Sequence, residues 1–86
     1  MNYAMPRYEL YGTRGCPYTQ EMREWLDLRR HDYVEYDVEA DPEALDRMLA
    51  LAGGLRTVPV LVEDGRVVEV GWQGRGCIVG PGQSGS

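Results

Sequence analysis

Tyr8-Glu9-Leu10-Tyr11-Gly12-Thr13-Arg14-Gly15-Cys16-Pro17-Tyr18-Thr19 is the stretch that decides the fold of this chain. Tyr8 to Tyr11 favours a β-strand, and Gly12 stops it. Thr13-Arg14-Gly15 reads as a loop. Pro17 then suits the first position of a helix, where its missing N–H is no loss. Cys16 is thereby placed between a strand end and a helix start. Free backbone N–H groups and the positive end of the helix dipole stabilise a thiolate there. Thiol pKa values at such positions fall from about 8.5 into the range of roughly 3.5–7.5. Thr19, one turn into the helix, can donate its hydroxyl back to the sulfur, and Arg14 can add positive potential. An inert buried cysteine belongs in an apolar stripe; Cys16 instead stands between Gly15 and Pro17.

Working outward, the helical pattern runs to Arg30, with Met22, Trp25, Leu26 and Arg29 on one face. Tyr33–Val38 is a second strand. Asp41-Pro42-Glu43 gives an N-cap, a first-position proline and an acid in the first turn. Leu45, Met48, Leu49 and Ala52 form the stripe of that second helix, and Gly53-Gly54 ends it. Val58–Glu63 is a third strand, Asp64-Gly65 a two-residue hairpin turn, and Arg66–Val70 the returning strand. The order β-α-β-α-β-β makes the first two strands parallel and the last two antiparallel. The fold class expected is α/β, a sandwich with a mixed four-stranded sheet. One domain is expected over 1–80, with 81–86 as a flexible tail.

Composition narrows the function. The chain has 86 residues, 14 acidic and 9 basic, for a net charge of -5, and is 43 % apolar. That is one small domain with a marginal core. An acidic chain without a basic cluster is a poor ligand for nucleic acid, where phosphate neutralisation dominates. No apolar run approaches the roughly 20 residues that span a bilayer. Met1–Pro6 shows no apolar core behind basic residues, so no secretory signal is expected and the chain is placed in the cytoplasm. All the basic residues are arginine, so any lysine role falls to arginine. With two cysteines and one histidine, neither a disulfide scaffold nor a tetrahedral metal site is expected. Inert thiols or redox chemistry remain.

Cys16-Pro17-Tyr18-Thr19 at a strand–helix junction, followed by Thr57-Val58-Pro59 before a hairpin, resembles the glutaredoxins of the thioredoxin fold. The resemblance runs from about Tyr8 to Val70. In that family the later proline is cis and faces the active cysteine, and the residue before it pairs its backbone with the cysteinyl part of glutathione. The resemblance thus implies Pro59 as the cis-proline, Val58 as the backbone clamp with Thr57 beside it, and Arg56 at a glutathione-contacting basic position. Arg14, Pro17 and Tyr18 are placed with them among the substrate-binding residues, Tyr18 shaping the rim. A trans proline opening an edge strand is the other reading of Pro59.

The departures are informative. Thr19 stands where the dithiol glutaredoxins have their second cysteine, so no Cys-x-x-Cys bridge can form. Thr13 stands at the family's lysine, and Arg14 is its nearest substitute. The Gly-Gly-x-Asp segment that opens a third helix is replaced by Gly71-Trp72-Gln73-Gly74-Arg75-Gly76-Cys77. Only Cys77-Ile78-Val79 is apolar after it, so the third helix is expected to be absent and Trp72 to replace its contacts. The Cys-Gly-Phe-Ser motif of cluster-binding members is also missing. The whole pattern is similar to a small bacterial glutaredoxin-like group with selenocysteine-containing members.

Cys77 carries two readings. It is a resolving thiol that attacks a mixed disulfide on Cys16, or a small apolar residue packing with Ile78 and Val79 over a sheet that lacks a helix. The activity implied is thiol–disulfide exchange on disulfides or glutathione mixed disulfides, with Cys16, Cys77 and Thr19 as its catalytic residues. Glutathione or another low-molecular-weight thiol is the co-substrate, with no metal. The partner is a disulfide-containing protein or small molecule, with no nucleic acid and no membrane, and the chain is a monomer or weak dimer. The competing class is a non-catalytic electron-donor or thiol-binding module, or an iron–sulfur cluster carrier.

Overall fold

A computed structural model of the chain describes residues 7–80; the expected tail, 81–86, lies outside them. The elements are β1 (Tyr8–Gly12), α1 (Pro17–Leu28), β2 (Tyr33–Asp37), α2 (Pro42–Leu51), β3 (Thr57–Val58), β4 (Val60–Glu63), β5 (Arg66–Val70) and β6 (Cys77–Ile78). The main sheet has four strands in the order β2-β1-β4-β5. β1 and β2 run parallel, while β4 is antiparallel to both β1 and β5. This is the expected α/β sandwich of the thioredoxin type.

The alternation of β1 sorts the core into two clusters. Leu10 and its partner Leu61 face α1, where Met22 and Leu26 are fully buried. Tyr11, Val60 and Val62 face α2, where Ala44 and Met48 are fully buried. Each helix covers one face of the sheet. α1 is also fastened to β2 through polar groups. Arg23 donates to both oxygens of Glu35 at 2.7 and 2.6 Å, and the Tyr33 hydroxyl donates to Asp27 at 2.8 Å. α2 begins as its sequence dictates, with Asp41 Oδ1 accepting from Glu43 N–H and Ala44 N–H at 3.1 and 3.3 Å.

Two boundaries differ from expectation by more than one residue. α1 ends at Leu28, so Arg29 is the cap and Arg30, at φ 59°, reverses the chain. The expected single strand Val58–Glu63 is broken at Pro59, which has no N–H to give to a ladder. Thr57–Val58 leave the main sheet and pair with Cys77–Ile78 in a separate two-stranded sheet.

Among the described residues there is no third helix. Trp72 packs against the Leu10–Met22–Leu26–Leu61 cluster on the α1 face, its ring 6.3 Å from that of Trp25. The His31 ring lies between those of Tyr8 and Trp25, at 4.8 and 5.5 Å. Aromatic rings thus stand where a helix would otherwise add cover. The Cys77 segment does not take that part: Val79 and Cys77 join the α2-side cluster, and Ile78 is 74 % exposed.

Candidate active site

The site lies at the carboxyl ends of β1 and β2. The Thr13 carbonyl accepts from Cys16 N–H at 3.4 Å, and the loop so formed delivers Cys16 to the N-cap of α1 with Pro17 at the first helical position. No side chain caps this helix start. Cys16 thus holds the N-cap position, where the unpaired N–H groups of a first helical turn favour a thiolate.

Opposite Cys16 is the Val58–Pro59 peptide bond, which is cis. Val58 and Cys16 are both buried in the α2-side cluster, and the Cys16 sulfur is 4.0 Å from the Val58 carbonyl oxygen. The expected cis geometry is therefore present, and Val58 lies against the cysteine.

The glycine-rich segment supplies the second sulfur. Trp72 and Arg75 exchange backbone hydrogen bonds at 2.6 and 3.0 Å around a turn whose central residues, Gln73 and Gly74, both have positive φ. That hairpin sends the chain back antiparallel to Thr57–Val58, in the register Thr57 to Ile78 and Val58 to Cys77. Gly76 makes the approach possible, since a Cβ there would fall 2.6 Å from both Thr57 Cγ2 and the Val58 oxygen. Cys77 is joined to Cys16 by a disulfide across a Cα–Cα distance of 6.1 Å. Cys77 is bonded to Cys16 and also packs against the α2-side cluster.

Other expected site residues are placed less directly. Thr19 is fully buried, but its hydroxyl has no hydrogen-bond partner among the described residues. The expected hydrogen bond to the Cys16 sulfur is therefore not made in this disulfide form. Arg14 and Pro17 are exposed and Tyr18 is half-buried. Arg56 donates to the Gly80 carbonyl at 3.1 Å, and its own carbonyl accepts from Val79 N–H at 2.8 Å. Arg56 thus fastens the end of the returning segment.

A cavity of about 250 Å³ opens beside the disulfide, lined by Thr13, Gly15, Cys16, Glu39, Val58 and the Cys77–Val79 segment. Neither Arg14 nor Arg56 lines it. Glu39 does, although it stands in the sequence among the other acids of Glu35–Asp41 with nothing to set it apart. The usable signal was topological: β1 and β2 are parallel, so the residues just after β2 share the sheet end that carries Cys16.

Residues 8–68 match the family model described as glutaredoxin. No curated protein sequence matches the chain. Among solved structures, the thioredoxin-like protein BC3987 is 33 % identical with a TM-score of 0.68, over 77 % of this chain and 88 % of that one. A point variant of the same protein gives 33 % identity and a TM-score of 0.70, over 80 % and 86 %. A glutaredoxin from Archaeoglobus fulgidus is 21 % identical with a TM-score of 0.68, over 81 % and 79 %, and shows likeness of fold alone.

Proposed function

The chain belongs to the glutaredoxin family, and from that premise we propose that it exchanges thiols and disulfides through Cys16, with Cys77 as the resolving thiol. The observation that carries the reading is the Cys16–Cys77 disulfide, formed at a helix N-terminus and against a cis-proline. In the reduced protein the Cys16 thiolate attacks one sulfur of a substrate disulfide. A new bond forms between Cys16 and that sulfur, and the other leaves as a thiolate. Cys77, deprotonated, then attacks the Cys16 sulfur and expels the remaining substrate half as a second thiolate. The substrate gains two electrons and the protein is left with its internal disulfide. Two equivalents of a low-molecular-weight thiol, such as glutathione, return both cysteines to thiols and leave as their own disulfide. Protein disulfides and small mixed disulfides are both open as substrates. The proposed setting is a reducing cytoplasm, where this thiol is at hand, and the proposed working state is a monomer or weak dimer.

The test is intact mass spectrometry after treatment with oxidised glutathione. The wild type is expected to lose two hydrogens and carry no adduct. Cys77→Ser is expected to hold one glutathione on Cys16, and Cys16→Ser to react slowly or not at all. Stable adducts on the wild type would remove the resolving role. A faster reaction at Cys77 than at Cys16 would reverse the assignment.

A further inference from the structure

The cavity beside the disulfide has a sign. Among the described residues, its one charged lining side chain is Glu39. Three carboxylates lie on the turn between β2 and α2, and two of them are occupied. Asp37 Oδ1 accepts from Glu39 N–H and Ala40 N–H at 3.0 and 3.3 Å. Asp41 Oδ1 accepts from Glu43 N–H and Ala44 N–H. These bonds fix the backbone on both sides of Glu39. Val38 anchors the turn from below, buried in the cluster that holds Cys16, with its N–H donated to the Gly12 carbonyl at 2.9 Å. The Glu39 carboxylate itself has no hydrogen-bond or ion-pair partner among the described residues. It is therefore free to act on whatever enters the cavity.

Among the described residues no cation lines the cavity beside it. Arg56 is turned to the Gly80 carbonyl, and Arg14 is exposed outside the lining. A group attached to the Cys16 sulfur in a mixed disulfide would share the cavity with the negative charge of Glu39, an exposed side chain on a fixed backbone. One such charge attracts a substrate cation and repels a substrate carboxylate, by an amount that salt reduces.

We propose that Glu39 is a specificity residue that favours disulfides with a positive charge close to the reacting sulfur and disfavours anionic ones. The proposal rests on the exchange reaction described above and keeps its electron balance. Cys16 attacks, the first half leaves as a thiolate, Cys77 expels the second, and a low-molecular-weight thiol restores the dithiol.

The experiment follows the oxidation of the reduced protein by three small disulfides: cystamine, which is cationic; hydroxyethyl disulfide, which is neutral; and oxidised glutathione, which is anionic. Second-order rates are measured for the wild type, Glu39→Gln and Glu39→Arg. Dividing the cystamine rate by the glutathione rate within each protein, and comparing proteins, cancels the intrinsic reactivity of the disulfides. In Glu39→Gln this ratio is expected to fall about three- to tenfold, the scale of one partly screened charge pair. In Glu39→Arg it falls further. Raising the salt should shrink the wild-type ratio and leave that of Glu39→Gln nearly unchanged, while the hydroxyethyl disulfide rates stay alike across the three proteins. An unchanged ratio in both variants, with all proteins active, overturns the role of Glu39 and leaves the exchange reaction standing. Failure of all three disulfides to oxidise the wild type overturns the exchange reaction, and this proposal with it.

Discussion

Gly12 and Thr19 touch so closely that a Cβ on Gly12 would fall 2.6 Å from the Thr19 hydroxyl oxygen. The end of β1 and the first turn of α1 meet at this point, and Cys16 lies on the loop between them. Gly12→Ala must displace either the strand end or the helix start. It is expected to destabilise the protein by about 1–3 kcal/mol, the usual cost of overpacking. Denaturant unfolding would measure it, and a change below about 0.5 kcal/mol, typical of harmless surface substitutions, would show that the contact is soft.

Thr19→Val keeps the shape of that contact and deletes a buried hydroxyl without a partner. An unsatisfied buried polar group costs about 1–3 kcal/mol, so the oxidised variant should unfold at higher denaturant than the oxidised wild type. Donation from this hydroxyl to the Cys16 thiolate is proposed for the reduced protein. Alkylation of the reduced variant should therefore show a higher Cys16 pKa than the wild type. Identical alkylation profiles would confine Thr19 to packing.

The disulfide closes a loop over a sequence separation of 61 residues. On the chain-entropy model such a bridge contributes up to about 4 kcal/mol by restricting the unfolded chain. Calorimetry should find the oxidised wild type melting well above the reduced form. Cys77→Ser should melt near the reduced wild type under both conditions.

Trp72 is half-buried against the α1-side cluster. Trp72→Ala is expected to cost about 2–3 kcal/mol, less than the about 3–5 of a fully buried aromatic. Hydrogen exchange should report the loss first in the amides of α1. A stability equal to that of the wild type would mean that the face lacking a helix stands without its aromatic cover.

Burial, donation to Asp27 and the nearby negative charges push the Tyr33 phenol up to about 12 from its ordinary 10.0. The folded state thus holds this proton more tightly than the unfolded state. The associated stability is complete below about pH 10 and is lost as the pH rises through about 12. Tyr33→Phe should flatten that part of the stability profile, and ultraviolet titration should show one late-ionising phenol fewer.

The parts of the fold legible in the sequence are those with strong local chemistry. Asp41-Pro42-Glu43 marked the start of α2, Asp64-Gly65 the hairpin, and Pro17 the start of α1 beside Cys16. Pro59 marked the site, although its break of the strand into β3 and β4 was not foreseen. β6 was out of reach, since two residues carry no readable period and its place depends on pairing with distant Thr57–Val58. Glu39 was missed for the opposite reason. It sits among other acids, and only the hydrogen bonding of Asp37 and Asp41 separates it from them. The end of α1 was overestimated because Arg29 and Arg30 suit a helix end in charge, whereas the chain turns there at Arg30.

A strand edge offers one row of donors and acceptors, and in β3 that row is already engaged by Cys77–Ile78. Two extended segments cannot hold it together. An incoming polypeptide that sought the same row would compete with a segment of the same chain, returned to it by the hydrogen-bonded Trp72–Arg75 turn. The Cys16–Cys77 bond also ties that segment to the start of α1, so in the oxidised chain the row is covered. The oxidised chain is therefore its own plug.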